Sequence, residues 1–199
     1  MGAKETAMTE PLPPALDFLL TRRSRPAKLL AEPVPDREAM ALMLRAAMRV
    51  PDHGKLEPWR FLVLTRPALD RLAALAGDCA AAQDMDADRA EKGRSQFAQS
   101  PLAVAVVASP RASDRIPAVE QTLSAGAACL SLLNAALAAG WGASWLTGWP
   151  AYDRTFVEQG LGLAPQEWIA GFIHIGTAQA IPADRPRPDP AERVRWIES

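Results

Sequence analysis

The sequence predicts one α+β layered domain, a sheet with helices packed around it. Three observations carry that expectation. Leu102–Ala108 and Trp168–Gly176 are short apolar runs of strand length. From about Pro117 to Ala139 the chain is Ala-rich and apolar over a helical length. Helix-type and strand-type segments alternate along 199 residues, enough for one core-bearing domain and short for two.

The elements follow in order. Residues 1–14 mix small, polar and proline residues and read as a loose arm. A helix begins near Pro14, with Leu16, Leu19 and Leu20 on one face, and ends at Arg22-Arg23-Ser24. Pro26, Pro33 and Pro35 impose an extended connection. Asp36 is an N-cap for a second helix, whose apolar positions run to Met48 and which Pro51 stops. Trp59–Leu64 reads as a strand, and a long Ala-rich helix follows from about Pro67 into the Asp84–Arg94 region, with a break expected at Gly77. After the buried strand at 102–108 and the central helix, Gly140 and Gly142 end that helix and Ala143–Thr147 extends. A short helix around Tyr152–Leu161 precedes the last strand. The proline-rich segment from Pro182 to Pro190 cannot pair centrally in a sheet and is expected to wrap a surface or a partner. The division is therefore an arm at 1–14, a domain at 15–180 and an extension at 181–199.

Composition excludes several classes of function. Formal net charge is -1, so no global field draws the chain to nucleic acid or an anionic membrane. The N-terminal residues carry an acid and no apolar core, unlike a secretory signal. The apolar run from Ala125 to Trp145 is interrupted by Ser131, Asn134 and two glycines and reads as a buried helix, not a membrane span. Two distant cysteines, Cys79 and Cys129, suggest a reducing, cytoplasmic setting. Together with His53 and His174 they lack metal-ligand spacing, so no metal site is expected. No nucleophile elbow, P-loop or strand-borne G-x-G-x-x-G is present.

Three segments could carry chemistry. Arg22-Arg23-Ser24 pairs two guanidinium groups with a hydroxyl, which suits a phosphate monoester; basic residues at a helix end also simply answer the macrodipole. Arg49–Phe61 places Arg, His, Lys and Trp in a loop stiffened by Pro51 and Pro58; the plain alternative has His53 capping a helix and Trp59 filling the core. Gly140–Pro150 interleaves glycines with three tryptophans, so a flat ring could approach the backbone, or the stretch could be helix termination followed by a core strand.

Taken together these segments resemble the nitroreductase family, in particular its short bacterial NAD(P)H nitroreductase branch. The landmarks are Arg22-Arg23-Ser24; Ala46–His53 leading to Pro58-Trp59-Arg60-Phe61; Ser124–Ala127 with Gly140-Trp141-Gly142; and Gly171–Thr177. The likeness spans roughly residues 15 to 180. It implies a nitroreductase-like fold: a central, mostly antiparallel sheet flanked by helices, and a homodimer built on the long central helix with chain ends embracing the neighbour. It further implies that Arg22, Arg23 and Ser24 grip the phosphate and ribityl chain of FMN. Arg49 and His53 would reach that FMN from the other subunit, while Trp145, Leu146, Thr147 and Gly148 line it. The stretch Ala135, Ala136, Leu137, Ala138, Ala139 and Gly140 matches one assigned to the nicotinamide cofactor. Two departures stand out. Glu57 occupies a place where many relatives carry an amide, and Arg185 and Arg187 do not align with the basic pair that longer relatives place on the phosphate.

The chemistry so implied is a ping-pong transfer of electrons from NADH or NADPH, through FMN, to a small oxidised acceptor such as a nitroaromatic or quinone. The flavin carries the difficult step, so no side chain is expected to be catalytic. Arg49 and Lys55 are the cations the loop offers to a reduced flavin. Two alternatives are an FMN-binding or carrier protein without turnover, and a dimeric non-enzymatic module that retains the fold.

Overall fold

The computed structural model describes residues 12–198, and the arm expected at 1–14 lies almost wholly outside them. Five strands form one sheet: β1 (Leu30–Ala31), β2 (Trp59–Leu64), β3 (Ala103–Ala108), β4 (Gly142–Leu146) and β5 (Trp168–Ala178). Their order is β1-β5-β3-β2, with β4 also paired to β5, and every described pairing is antiparallel. The helices are α1 (Pro14–Thr21), α2 (Arg37–Ala47), α3 (Arg66–Ala82), α4 (Ala87–Ala98), α5 (Ala118–Ala138), α6 (Arg154–Leu161) and α7 (Pro190–Arg193).

β3 explains the layering. All six of its residues are buried, because alternate side chains enter different cores. Val104 and Val106 join Met40 and Met43 of α2 and Ala128 and Leu132 of α5 on one side. Ala103, Ala105 and Val107 join Leu69 and Leu72 of α3, Phe97 of α4 and Phe156 of α6 on the other. In that second core Phe97 stacks on Phe156 and meets Phe172 edge-on, each at 5.2 Å between ring centroids. Arg60 reaches across to Glu167 in a two-pronged ion pair, with Nη2 2.6 Å from Oε2. That guanidinium holds the Glu167 carboxyl down at about 2.

The expected elements form with two differences. The long third helix is two helices, and the break is at Gln83–Asp86, not at Gly77. Gly77 lies inside α3 with open space around it. Asp84 instead takes a left-handed conformation, φ 46°, and the Asp86 carboxylate accepts from the Asp88 and Arg89 amides to start α4. Those short polar residues could be read as one more solvated turn, which hid the stop. The proline-rich connection after α1 also contains β1, whose two residues pair with Thr177 and Ala178.

His174 is fully buried on β5. The Ser100 hydroxyl donates to the Leu102 carbonyl, so the His174 Nδ1–H donates to Ser100 Oγ at 2.8 Å and Nε2 is left without a partner. Burial pushes this imidazole down to about 4 from 6.5. The unfolded chain therefore takes the proton first. The contribution to stability is complete above 6.5 and is lost as pH falls toward 4. Urea denaturation at about pH 7.5 and about pH 5 should show wild type losing on the order of 2 kcal/mol more than His174→Leu between the two conditions.

Candidate functional site

The segment Arg22–Arg25 is laid against the sheet by its own backbone. Arg22 closes α1, its amide bonded to the Phe18 carbonyl, and the Arg25 amide donates to the Ala143 carbonyl of β4 at 2.8 Å. The result is a cleft of about 590 Å³ in which Arg22, Arg23 and Arg25 face Ala139, Gly140, Trp141 and Gly142. Gly140 permits the turn there with φ 86°. Ser24 is exposed and is not among the residues that line the cleft. Arg25 was absent from the sequence-based site. Arg25 lines the cleft, and its Nη1 is buried without a hydrogen-bond partner among the described residues. The signal was available as a third arginine directly after the triplet.

Arg23 has partners inside the chain. Its Nη1 lies 3.5 Å from Asp184 and donates to the Ala183 carbonyl, and Arg187 donates to the Leu20 carbonyl. The C-terminal extension thus crosses α1 beside the cleft. This contact involves Arg187 of the Arg185/Arg187 pair.

Further along β4 lie two more hollows, which share no lining residue with the arginine cleft. Lys28, Gln96, Ser100, Ser144 and Leu146 line a second depression of about 330 Å³. Lys92, Gln96 and Leu146 carry it into a third, of about 490 Å³, where Trp145, Leu146, Thr147, Gly148 and Trp149 face α4. The predicted stretch 145–148 therefore opens on a groove. Gly148 has φ 72°, and the amide of Gln96, whose Nε2 is buried and unpartnered, lies beside it. Lys28, Lys92 and Gln96 escaped the sequence reading, because only the fold brings α4 and the 26–28 turn to the end of β4.

The expected nicotinamide stretch divides. Ala136 is fully buried against the core, whereas Leu137, Ala139 and Gly140 border the arginine cleft. Ala135 is half-buried and Ala138 exposed.

Arg49 and His53 lie elsewhere. Arg49 is exposed just past α2. The Asp52 carboxylate accepts from the Leu56 and Glu57 amides, holding a tight loop in which Gly54, Lys55 and Glu57 are all left-handed. From it His53 reaches Glu120 in the first turn of α5, at 2.7 Å. α5 has 21 residues, so His53 and the arginine cleft sit at opposite ends of a helix about 30 Å long. No small ligand spans both within one chain.

Comparison with known proteins places these features. A family model described as Nitroreductase family matches residues 19–177. The provisionally named NAD(P)H nitroreductase YdjA of Escherichia coli (strain K12) is 36% identical over 165 residues, covering 83% of this chain and 88% of the relative. A provisionally named NAD(P)H nitroreductase of Haemophilus influenzae is 34% identical over 166 residues, covering 82% and 88%. Among solved structures, a nitroreductase-like family protein from Bacillus cereus has a TM-score of 0.76 at 22% identity, covering 97% of this chain and 100% of the other. A provisionally assigned nitroreductase from Desulfovibrio desulfuricans, in complex with FMN, has a TM-score of 0.72 at 24% identity, covering 94% and 99%.

Three arginines lining one cleft make it testable without any organic ligand. Inorganic phosphate should raise the thermal midpoint above that in chloride of equal ionic strength. The increment should shrink by at least half in Arg25→Met. An equal increment in both proteins would remove Arg25 from the anion site.

Proposed function

The chain belongs to the nitroreductase family, and from that premise we propose that it is an FMN-dependent oxidoreductase working as a homodimer. It takes electrons from NADH or NADPH and passes them to a small oxidised acceptor. The observation that carries this reading is the row of hollows along β4, with three arginines lining the first and the Trp145–Gly148 stretch lining the last.

The residues present fit the cofactor. Arg22, Arg23 and Arg25 line the cleft and would supply permanent charge and fork geometry to a phosphate. Ser24, exposed next to Arg23 in the chain, would add a hydroxyl. Trp145, Leu146, Thr147 and Gly148 would hold the ring system. A Cβ at Gly148 would press on the Gln96 amide, so the glycine lets that side chain of α4 pack against the end of the stretch. When bound, FMN would supply the two-electron chemistry that links nicotinamide to acceptor in a ping-pong scheme. The protein's part is to orient, to exclude water and to provide positive potential. Leu137, Ala139 and Gly140 are the members of the nicotinamide stretch placed to touch a ligand.

Surfaces that one copy leaves uncovered support a homodimer. α1 buries none of its residues although Leu16, Leu19 and Leu20 share a face. α5 exposes Val119, Leu123 (67%) and Leu130, one helical stripe. Ile181, Val194, Trp196 and Ile197 of the extension are likewise exposed. A two-fold partner packed through antiparallel α5 helices covers the stripe and sets each copy's Arg49 and His53 beside the other's arginine cleft. The extension then embraces the neighbour. The buried free thiols of Cys79 and Cys129 suit a cytoplasmic location.

Freshly purified protein should be yellow and should bleach when NADH or NADPH is added without oxygen. A yellow protein that never bleaches would be a carrier. A colourless one that ignores added FMN would be a fold without the cofactor. Light scattering should give twice the 21.4 kDa chain mass, and Leu123→Arg should halve it.

A further inference from the structure

The loop that carries His53 is fastened to α5 at three points. Gly54 lies against the Ile116 side chain just ahead of the helix, where an added Cβ would come within 2.4 Å of Cδ1. Past the loop, Trp59 Nε1 donates to the Ser124 hydroxyl at 3.1 Å. Between these ties His53 meets Glu120 at 2.7 Å. The helix end that receives them is itself held. The buried Gln121 side chain accepts from the Arg111 amide at 2.8 Å and donates to the Arg111 carbonyl at 2.9 Å. Loop and first turns of α5 therefore form one body.

A carboxylate only accepts, so the hydrogen of the His53 contact sits on Nδ1 and Glu120 Oε2 receives it. That contact sets the tautomer and leaves Nε2 of the neutral ring as an acceptor. The pair does little to hold the fold. Its side chains keep 63% and 42% of their surface exposed, and ion pairs so wet stabilise weakly. An acid in the first turn of α5 also answers the macrodipole, but a carboxylate does that without engaging a histidine.

We propose that Glu120 is a positioning residue for the cofactor. It holds His53 as the Nδ1–H tautomer, so that Nε2 accepts a hydrogen bond from a hydroxyl of the FMN chain bound in the other copy's arginine cleft. This rests on the flavin and homodimer reading above, in which each His53 comes beside the other copy's Arg22, Arg23 and Arg25. Guanidinium groups offer donors only, and they answer the phosphate. The ribityl hydroxyls next to that phosphate are donors that the arginines cannot satisfy, whereas the Nε2 lone pair can. A ring free to exchange tautomers places a hydrogen on Nε2 and loses that acceptor.

The test reads the ring and the flavin separately. The chain has two histidines, so in His174→Leu the nitrogens of His53 stand alone in a long-range proton–nitrogen NMR spectrum. At about pH 8.5, about two units above an ordinary imidazole, this parent should show the Nδ1–H pattern. Glu120→Ala should move it to the Nε2–H pattern that imidazole prefers in water. Glu120→Gln keeps an acceptor oxygen and should hold the parent pattern. Titrated with FMN, the flavin-free protein should bind about fivefold more weakly in Glu120→Ala and within about twofold of wild type in Glu120→Gln. Riboflavin, which lacks the phosphate, should show the same fivefold loss. In a His53→Ala background, Glu120→Ala should change neither affinity. An Nε2–H pattern in the parent overturns the proposal. Equal weakening in the alanine and glutamine variants also overturns it, by assigning the effect to charge. A loss confined to FMN moves the contact to the phosphate, and a loss that persists without His53 removes the histidine; either result sinks the proposal. A protein that takes up no flavin overturns the flavin reading and the cofactor half of the proposal, while the nitrogen pattern still decides whether Glu120 sets the ring.

Discussion

α5 is apolar nearly all the way round, and the rest of the structure depends on how its two faces are satisfied. After Glu120 it carries no charge to its last residue. Ala125, Ala128, Cys129, Leu132 and Ala136 enter the core beneath the sheet. The opposite stripe, Val119, Leu123 and Leu130, meets water in a single copy. By length and composition alone such a helix resembles a membrane span, and under half of its apolar window is buried. Packing against the sheet accounts for one face, and the proposed second copy accounts for the other.

The same helix separates the groups proposed to act together. Its N-terminal turn is bonded to His53 through Glu120, and its C-terminal turn borders the arginine cleft. Side chains about 30 Å apart cannot share a ligand unless a symmetry-related chain brings one beside the other. Apolar surface and polar site thus make the same demand. The left-handed residues of the Asp52–Glu57 loop, held by the Asp52 carboxylate, suit a segment that must meet a partner in a fixed shape.

Much of the fold was legible because periodicity and punctuation agree. β3 announced itself as an unbroken apolar run, and Asp36 caps α2 by accepting from the Ala39 amide, as its position suggested. The α3–α4 break was misplaced because glycine was weighed as the breaker, whereas Asp84 and Asp86 supply the turn and the cap. β1 was invisible, since two residues between prolines carry no period. For the site, local sequence marked the arginine triplet, the His53 loop and the Trp145–Gly148 stretch. It gave no hint that Lys28, Lys92 and Gln96 converge on β4, because that depends on β4 pairing with β5 and on α4 crossing its end. Arg25 was legible in principle, but only burial shows that its guanidinium lacks a partner.

The most direct test of the shared crevice is complementation between two defective copies. One carries Arg22→Ala and Arg25→Ala, the other His53→Ala, and each alone should retain little flavin. Mixed dimers, isolated by different tags, contain one crevice with both arginines and the histidine intact. They should recover close to half of the wild-type flavin per chain. Recovery no better than the average of the two parents would show that cleft and loop never meet, and would contradict a cofactor held between copies.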